Sequence, residues 1–448
     1  MERRYLTVGV LRHLVRTPTI SPMNTLISAV ANLDNLFDAW RDVRRNVRRS
    51  SWQTLLAELA EVDRSPLRDL RRIQQQLLDR TYRFSAKLGY AKRKSGGSRR
   101  GITVQHIHDR IVQRAVLNVF FSSEIPITNA LGVVAEIVRT GTSFAGVPDR
   151  GVPGAIDLAR EAIRKGATAF AYSDMKDFFP CVPRHDVIEF LSRHLGDQAF
   201  VALFEKALET ELQNRDEMQE WLSLFPNEDV GVAQGSLLST LVGNLALRQF
   251  DAVMNEGNLV TVRYLDDFLI LAPDLATAAT AFRRAQQELA VLKMECYAPA
   301  DGSQKAALGY VRDGFQFLGC HIHPDGISPA RSAKRKLLEE IARIISESKA
   351  TIRTFCDTEA PRRSESTYCQ TLAQIDRKLR GWGDVYRFVT NRVPFSQLDA
   401  EIDAQLTQFH GWFQRHYGRE SSRARRRLLG VALLADTPPD EIVPTGDD

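Results

Sequence analysis

Residues 260–272 read VTVRYLDDFLILA. Apolar, β-rich runs flank Tyr264-Leu265-Asp266-Asp267, so the stretch predicts two short strands joined at a tight tip. Two adjacent aspartates at such a tip are unfavourable without a reason. Strands avoid Asp, and neighbouring like charges raise each other's pKa. A bound hard cation removes that penalty, because Mg2+ takes carboxylate oxygen. Taken alone, the motif also reads as an ordinary Asp-rich turn.

A second acidic strand end precedes it. AFAYSDMKDFFPCV, residues 169–182, places Asp174 after an apolar run and Asp177 three residues on. By itself Asp174 reads equally as a surface turn. A carboxylate at one strand end beside a carboxylate pair on a neighbouring hairpin is what a two-metal site needs. One ion lowers the pKa of an attacking 3′-hydroxyl, and the other holds a triphosphate and stabilises pyrophosphate as it leaves. Between the two, GVAQGSLLSTLVGNLAL (231–247) predicts a turn at Gln234-Gly235-Ser236 leading into an apolar helix. Glycine there permits close approach of a nucleotide, and Gln can hydrogen-bond a sugar or base edge; a plain helix N-cap is the alternative. Upstream, two strand-like runs flank Ser-Gly-Gly-Ser in a hairpin at 92–100. Its Lys92, Arg93, Lys94, Arg99 and Arg100 suit a triphosphate, bidentate Arg best of all, or form a solvated loop.

Outward from this centre, residues 1–83 predict helices, with apolar residues at three- and four-residue spacing in LISAVANLDNLFDAW and WQTLLAELAEV. The run Arg41, Arg44, Arg45, Arg48, Arg49 reads as a solvated face or a phosphate-contacting one. Residues 165–325 mix short strands with helices, an α+β pattern. Residues 330–430 are helical and basic, and the last residues form an acidic tail. A length of 448 residues fits about three domains. With 44% apolar and 26% charged residues, the composition excludes collagen, a coiled coil and wholesale disorder. The net charge of +5 is small, so a polyanion partner must be argued from where the charges sit. Cys181, Cys296, Cys320, Cys356 and Cys369 form no CxxC pair, which argues against a zinc site or a disulfide framework and fits a reducing cytoplasm. No apolar stretch is long enough for a membrane span, and the N-terminus lacks the pattern of a signal peptide.

Taken in order, these segments resemble a reverse transcriptase. KRKSGGSRRGI resembles the fingers, and DRIVQRAVLNVF (109–120) a segment of group II intron-like enzymes. SDMKDFFPCV resembles palm motif A, AQGSLLS motif B, and YLDD motif C, the YxDD box. FQFLGCHI (315–322) resembles the motif E turn, and LRGWGDVY (379–386) the group II intron thumb. The resemblance spans residues 52–395. It implies an α+β right-hand polymerase with helical extensions at both ends. The expected organisation is an N-terminal extension at 1–83, fingers at 84–165, palm at 166–328, thumb at 329–395, and a C-terminal extension with its acidic tail at 396–448.

The resemblance implies roles position by position. Asp174, Asp266 and Asp267 match the catalytic, metal-binding triad for two Mg2+ ions, with Mn2+ as the alternative. Tyr264, Leu265 and Gly319 match positions near primer and template. Phe179 matches the steric gate that excludes a 2′-hydroxyl; alone it also reads as a core aromatic. Gln234 matches a nucleotide-contacting residue. Arg100 matches the fingers arginine on the triphosphate, with Lys92 or Lys94 as its lysine partner. Lys305 or Lys293 is a candidate to protonate pyrophosphate.

The chain departs from the family in places. Ser239-Thr240 stands where many relatives have Pro after the motif B Ser, and Leu265 where many group II enzymes have Ala. No HNH or zinc endonuclease segment follows the thumb, and the NAxxH and VTG motifs of retron enzymes are missing, Asn129-Ala130 being followed by Leu-Gly-Val. That profile is most similar to the bacterial defence-associated "unknown group" enzymes. The expected activity is templated DNA synthesis from dNTPs on an RNA, a non-coding partner RNA in antiphage defence. The duplex is expected in a positive cleft between the 92–100 hairpin and the helices of 330–395. A second copy of the chain or a partner protein is left open, as is priming from a protein hydroxyl such as Tyr5, Tyr368, Tyr386 or Tyr417. The competing expectations are a maturase-like RNA-binding protein and a catalytically silent nucleic-acid-binding module.

Overall fold

A computed structural model describes residues 25–94, 97–121, 141–227, 229–299, 305–357, 367–431 and 434. Tyr5, the hairpin tip at Ser95-Gly96, Asn129-Ala130 and the acidic tail lie outside the described residues.

Helices Leu26–Val30, Leu33–Val47, Gln53–Arg64 and Pro66–Leu78 open the described chain. Leu36, Ala39, Val43 and Val47 recur at helical spacing and are buried, and the Asn32 side chain caps the second helix by accepting from the N–H groups of Asp34 and Asn35. Four arginines of the basic run on and just after this helix are ion-paired. Arg44 and Arg48 both contact Asp63, at 3.0 and 2.8 Å, while Arg41 pairs with Asp38 and Arg45 with Asp42. These pairs fit the solvated-face alternative.

Strands β1 (Leu88–Arg93) and β2 (Arg99–Val104) form the expected antiparallel hairpin, with Lys92 opposite Arg100 and Arg93 opposite Arg99. Helix Ile107–Phe121 follows and is buried along most of its length. A four-stranded sheet comes next, built from β3 (Ala169–Asp174), β4 (Val260–Tyr264), β5 (Asp267–Ala272) and β6 (Ala306–Tyr310) in the order β4-β5-β3-β6. Its central strands β3 and β5 are buried along most of their length and carry polar residues only at the ends.

The chain divides into two compact units. One comprises Met1–Leu158, Ser173–Phe268 and Thr280–Ala306; the other comprises Ala159–Tyr172, Leu269–Ala279 and Ala307–Asp448. The first holds the N-terminal helices, the β1–β2 hairpin and the carboxylate-bearing strand ends. The second contains β7 (Phe315–Phe317), β8 (Cys320–His323) and β9 (Gly326–Pro329), an antiparallel sheet. Helices Arg331–Asp357, Tyr368–Val385 and Val393–Tyr417 then pack through Leu337, Ile341, Ile344, Ile375, Leu398, Ile402 and Phe409. Between β7 and β8, Leu318 and Gly319 both have positive φ, 48° and 76°. The Gly319 carbonyl accepts from Tyr386 Oη at 3.3 Å and from the Ala330 N–H at 2.8 Å. Gly319 thus makes the tight turn expected of it, pinned by the tyrosine that ends LRGWGDVY. Among the described residues no helix is long and apolar enough to cross a membrane.

Candidate active site

The buried apolar run of β3 ends at Asp174, and the residues after it are held by main-chain bonds. Met175 N–H donates to the Asp266 carbonyl at 2.9 Å. On the other side Lys176 N–H donates to Glu295 O at 2.8 Å, and Tyr297 N–H to Asp174 O at 3.1 Å. Asp174 N–H itself donates to Lys305 O at 3.0 Å. The strand end carrying Asp174 is thus stitched between the YLDD turn on one side and Glu295, Tyr297 and Lys305 on the other.

The turn from β4 to β5 holds only Leu265 and Asp266, with Leu265 at φ 63°. Two-residue connections between twisted strands favour such positive φ, although a leucine there is strained. The turn sets Asp266 and Asp267 side by side, both half-buried. Burial raises the Asp266 carboxyl above its ordinary value, and the nearby Asp174 raises it further. Asp267 is pushed up to about 7, by burial first and then by Asp266 and Asp174. Lys305 reaches across and pairs its Nζ with Asp174 Oδ2. Burial alone lowers this ammonium, but the hydrogen bond and charge of Asp174, with Asp267 and Tyr297 adding, leave its pKa raised. Of the two lysine candidates, Lys305 is therefore the one placed at the carboxylates; Lys293 ends the preceding helix at φ 58° and is exposed.

Among the described residues no three Asp, Glu, His or Cys side chains already stand as a metal cage. What the site offers is a donor set. Burial first, and the charge of the neighbouring carboxylates second, raise two of the three proton affinities, and a lysine ammonium sits on the third. Hard oxygen donors with surplus negative charge fit a divalent cation.

The other candidates on these elements are placed by their own contacts. Asp177, at φ 41°, begins the short helix Phe178–Cys181. Phe178 is the core aromatic, buried at 3% exposure, and its ring lies against Gly243. Phe179 is half-buried, and its carbonyl accepts from Val232 N–H at 2.8 Å. Gln234 and Gly235 meet the β1–β2 hairpin. The Gln234 carbonyl accepts from Thr103 N–H at 2.8 Å, and a Cβ on Gly235 would lie 2.1 Å from the Thr103 carbonyl oxygen. Lys92 and Arg100 stand opposite each other on the exposed hairpin. Lys94 is the lysine that reaches the motif A loop, 3.4 Å from Asp177.

Reading the sequence did not single out two contributors. Gln113, fully buried, accepts through Oε1 from Ser236 Oγ and Leu237 N–H, both at 3.2 Å, and so holds the Gln-Gly-Ser turn. A glutamine amid the apolar pattern of helix Ile107–Phe121 was its only signal. Tyr297 lies with both Lys176 Nζ and Lys305 Nζ at 5.7 Å from its ring centroid. No local pattern announces it, because its neighbours come from other segments.

The family model described as "Reverse transcriptase (RNA-dependent DNA polymerase)" matches residues 92–322, just over half of the chain. The chain belongs to the reverse transcriptase family. Every candidate carboxylate of this reverse transcriptase falls inside the matched region, and its fold class is the right-hand polymerase of that family with helical extensions. It is 24% identical over 270 residues to protein YkfC of Escherichia coli (strain K12), covering 50% of this chain and 64% of YkfC. It is 26% identical over 186 residues to an uncharacterized 91 kDa protein in the cob intron of Schizosaccharomyces pombe, covering 40% of this chain and 20% of that protein. The reverse transcriptase thus spans less than two thirds of either relative. Among solved structures, a partial Cas6-RT-Cas1–Cas2 complex aligns at a TM-score of 0.34 and 20% identity, over 60% of this chain and 43% of that one. The apo telomerase of Candida tropicalis aligns at a TM-score of 0.39 and 12% identity, over 78% and 64%.

Proposed function

We propose that the chain is an RNA-directed DNA polymerase that adds deoxynucleotides to a primer end by phosphoryl transfer. The observation that carries this reading is the main-chain junction joining Asp174 to the Asp266–Asp267 turn, inside a region matched by the family. Asp174, Asp266 and Asp267 would hold two Mg2+ ions, which when bound acidify the attacking 3′-hydroxyl and stabilise the leaving pyrophosphate.

The chain's own residues do the rest. Lys92, Lys94 and Arg100 bind the triphosphate from the hairpin, the arginine with its planar fork. Phe179 presents a ring where a 2′-hydroxyl would sit, and Gln234 contacts the incoming nucleotide. Tyr264 and Leu265 line the primer end, and Gly319 shapes the turn expected to grip it. Lys305 stands close enough to the carboxylates to deliver a proton to pyrophosphate. In this reading the fingers are 84–165, the palm 166–328 and the thumb 329–395.

The narrower reading, a partner non-coding RNA as template and a role in antiphage defence, is supported by the motif set alone. Sequencing the nucleic acid that co-purifies with the protein tests it. For the polymerase itself the test is metal-dependent primer extension on an RNA template. Asp266→Asn is expected to abolish incorporation while leaving folding and RNA binding intact. Equal incorporation by the wild type and this variant overturns the reading.

A further inference from the structure

The YLDD turn is held from behind by a side chain to which none of these roles assigns anything. Arg263 lies on β4, three residues before Asp266, and its side chain is wholly buried. A guanidinium has five N–H donors, and all five are used. Nε donates to Asp251 Oδ1 at 2.6 Å, and one terminal nitrogen to Asp251 Oδ2 at 2.5 Å and to Ser143 Oγ at 3.0 Å. The other terminal nitrogen donates to Asn244 Oδ1 at 3.0 Å and to the main-chain carbonyl of Leu265 at 3.1 Å.

The last bond matters most. Leu265 is the residue at φ 63°, a strained conformation for any residue but glycine. Such strain persists only where the surroundings over-determine it. Arg263 supplies that restraint, and its own backbone is fixed in turn. Its N–H donates to Thr142 O at 2.8 Å, and its carbonyl accepts from Phe144 N–H at 3.1 Å. Asn244, on the helix that follows the Gln-Gly-Ser turn, accepts from Ser143 Oγ at 3.2 Å and donates to Ala145 O at 2.9 Å. The cluster therefore ties the turn to the 142–145 segment and to helix Ser239–Ala246.

We infer that Arg263 is a positioning residue: through the Leu265 carbonyl it holds the strained turn that aims Asp266 and Asp267. Lysine cannot replace it, because one ammonium cannot span Asp251, Asn244, Ser143 and the Leu265 carbonyl at once. The activity arm of this inference rests on the polymerase reading; the structural arm does not.

The test separates aiming from stability. Arg263→Met with Asp251→Leu replaces the buried ion pair by apolar side chains, a change that is often neutral or stabilising. This double variant is expected to keep its Tm and lose about a hundredfold in kcat, the cost of an ångström-scale misplacement, with KM for dNTP little changed. Amide hydrogen exchange across 262–268, measured without metal, is expected to speed up. Asp251→Asn is expected to do the reverse. It leaves a buried charge partly unmatched and lowers Tm, but keeps the Leu265 bond and the kcat of the folded fraction. Should the double variant not fold, Arg263→Lys takes its place with the same expected loss in kcat and the same faster exchange. A kcat that simply follows Tm across these variants, or unchanged exchange at 262–268, overturns the inference. Wild-type protein that extends no primer sinks the polymerase reading, while the exchange measurement still decides the role of Arg263.

Discussion

The N–H of Met175 and the carbonyl oxygen of Asp266 are joined at 2.9 Å. The strand ends bearing Asp174 and the Asp266–Asp267 pair are therefore brought together by the main chain, and the carboxylates pay electrostatically for the meeting. Changing a carboxylate should leave the junction standing and relieve the repulsion.

That gives a prediction for stability against pH. In the metal-free protein Asp267 keeps its proton up to about pH 7, whereas an unfolded aspartate releases it near 3.9. The folded state binds the proton more tightly, so the associated stability is complete below about pH 4 and is lost as pH rises through 7. Asp267→Asn removes the titration. It is expected to raise Tm in EDTA by roughly 3–6 °C at pH 8 and by less at pH 5. Adding Mg2+ at pH 8 should raise the wild-type Tm and leave the variant nearly where it was. A Tm difference that is the same at both pH values would contradict the prediction.

Lys305 offers a second. Its ammonium occupies Asp174, so a divalent cation has to displace it. Because the lysine side chain is half-exposed, the pair is worth ~1 kcal/mol or less. Lys305→Met is expected to bind Mn2+ roughly fivefold more tightly in a direct titration. Weaker binding by the variant would mean that the lysine assists the cation instead of competing with it.

The Gln-Gly-Ser turn gives a third, through close packing. At φ +123°, with the Thr103 carbonyl oxygen 2.1 Å from where a Cβ would go, Gly235 has no room for a side chain. Gly235→Ala is expected to cost roughly 1–3 kcal/mol from backbone strain alone. It should also raise KM for dNTP by pushing Gln234 away from the hairpin. Gly141→Ala, with open space around the new methyl, should change neither. Equal effects of the two substitutions on thermal melts and KM would refute the packing account.

These sites show what could be read without coordinates. The β4–β5 turn was legible because two apolar runs bracket two charges, although alone they also fitted an ordinary Asp-rich turn. Asp174 was legible for the same reason. The hairpin was legible from its Ser-Gly-Gly-Ser tip, and its register then placed Lys92 against Arg100. The choice between Lys293 and Lys305 was not legible. Both follow the same helix, and only the bonds of Lys305 to Asp174 at the end of β3 separate them. Arg263 escaped notice inside the quoted motif itself, because an arginine on a strand ordinarily faces solvent. Its four partners come from residues 143, 244, 251 and 265, and no local pattern links them.

The adjacent phenylalanines allow the sharpest division between folding and specificity. Phe178 is buried against Gly243, so Phe178→Ala is expected to destabilise the protein by about 3–5 kcal/mol. Phe179 is half-buried, so Phe179→Val should shift Tm by only about 2 °C. If its ring is the sugar gate, the valine variant should accept ribonucleotides roughly tenfold or more better relative to deoxynucleotides, the discrimination that shape alone supplies. Competitive single-nucleotide incorporation measures this ratio directly. Unchanged selection in Phe179→Val would remove the gate from that ring and return Phe179 to a packing role beside its neighbour.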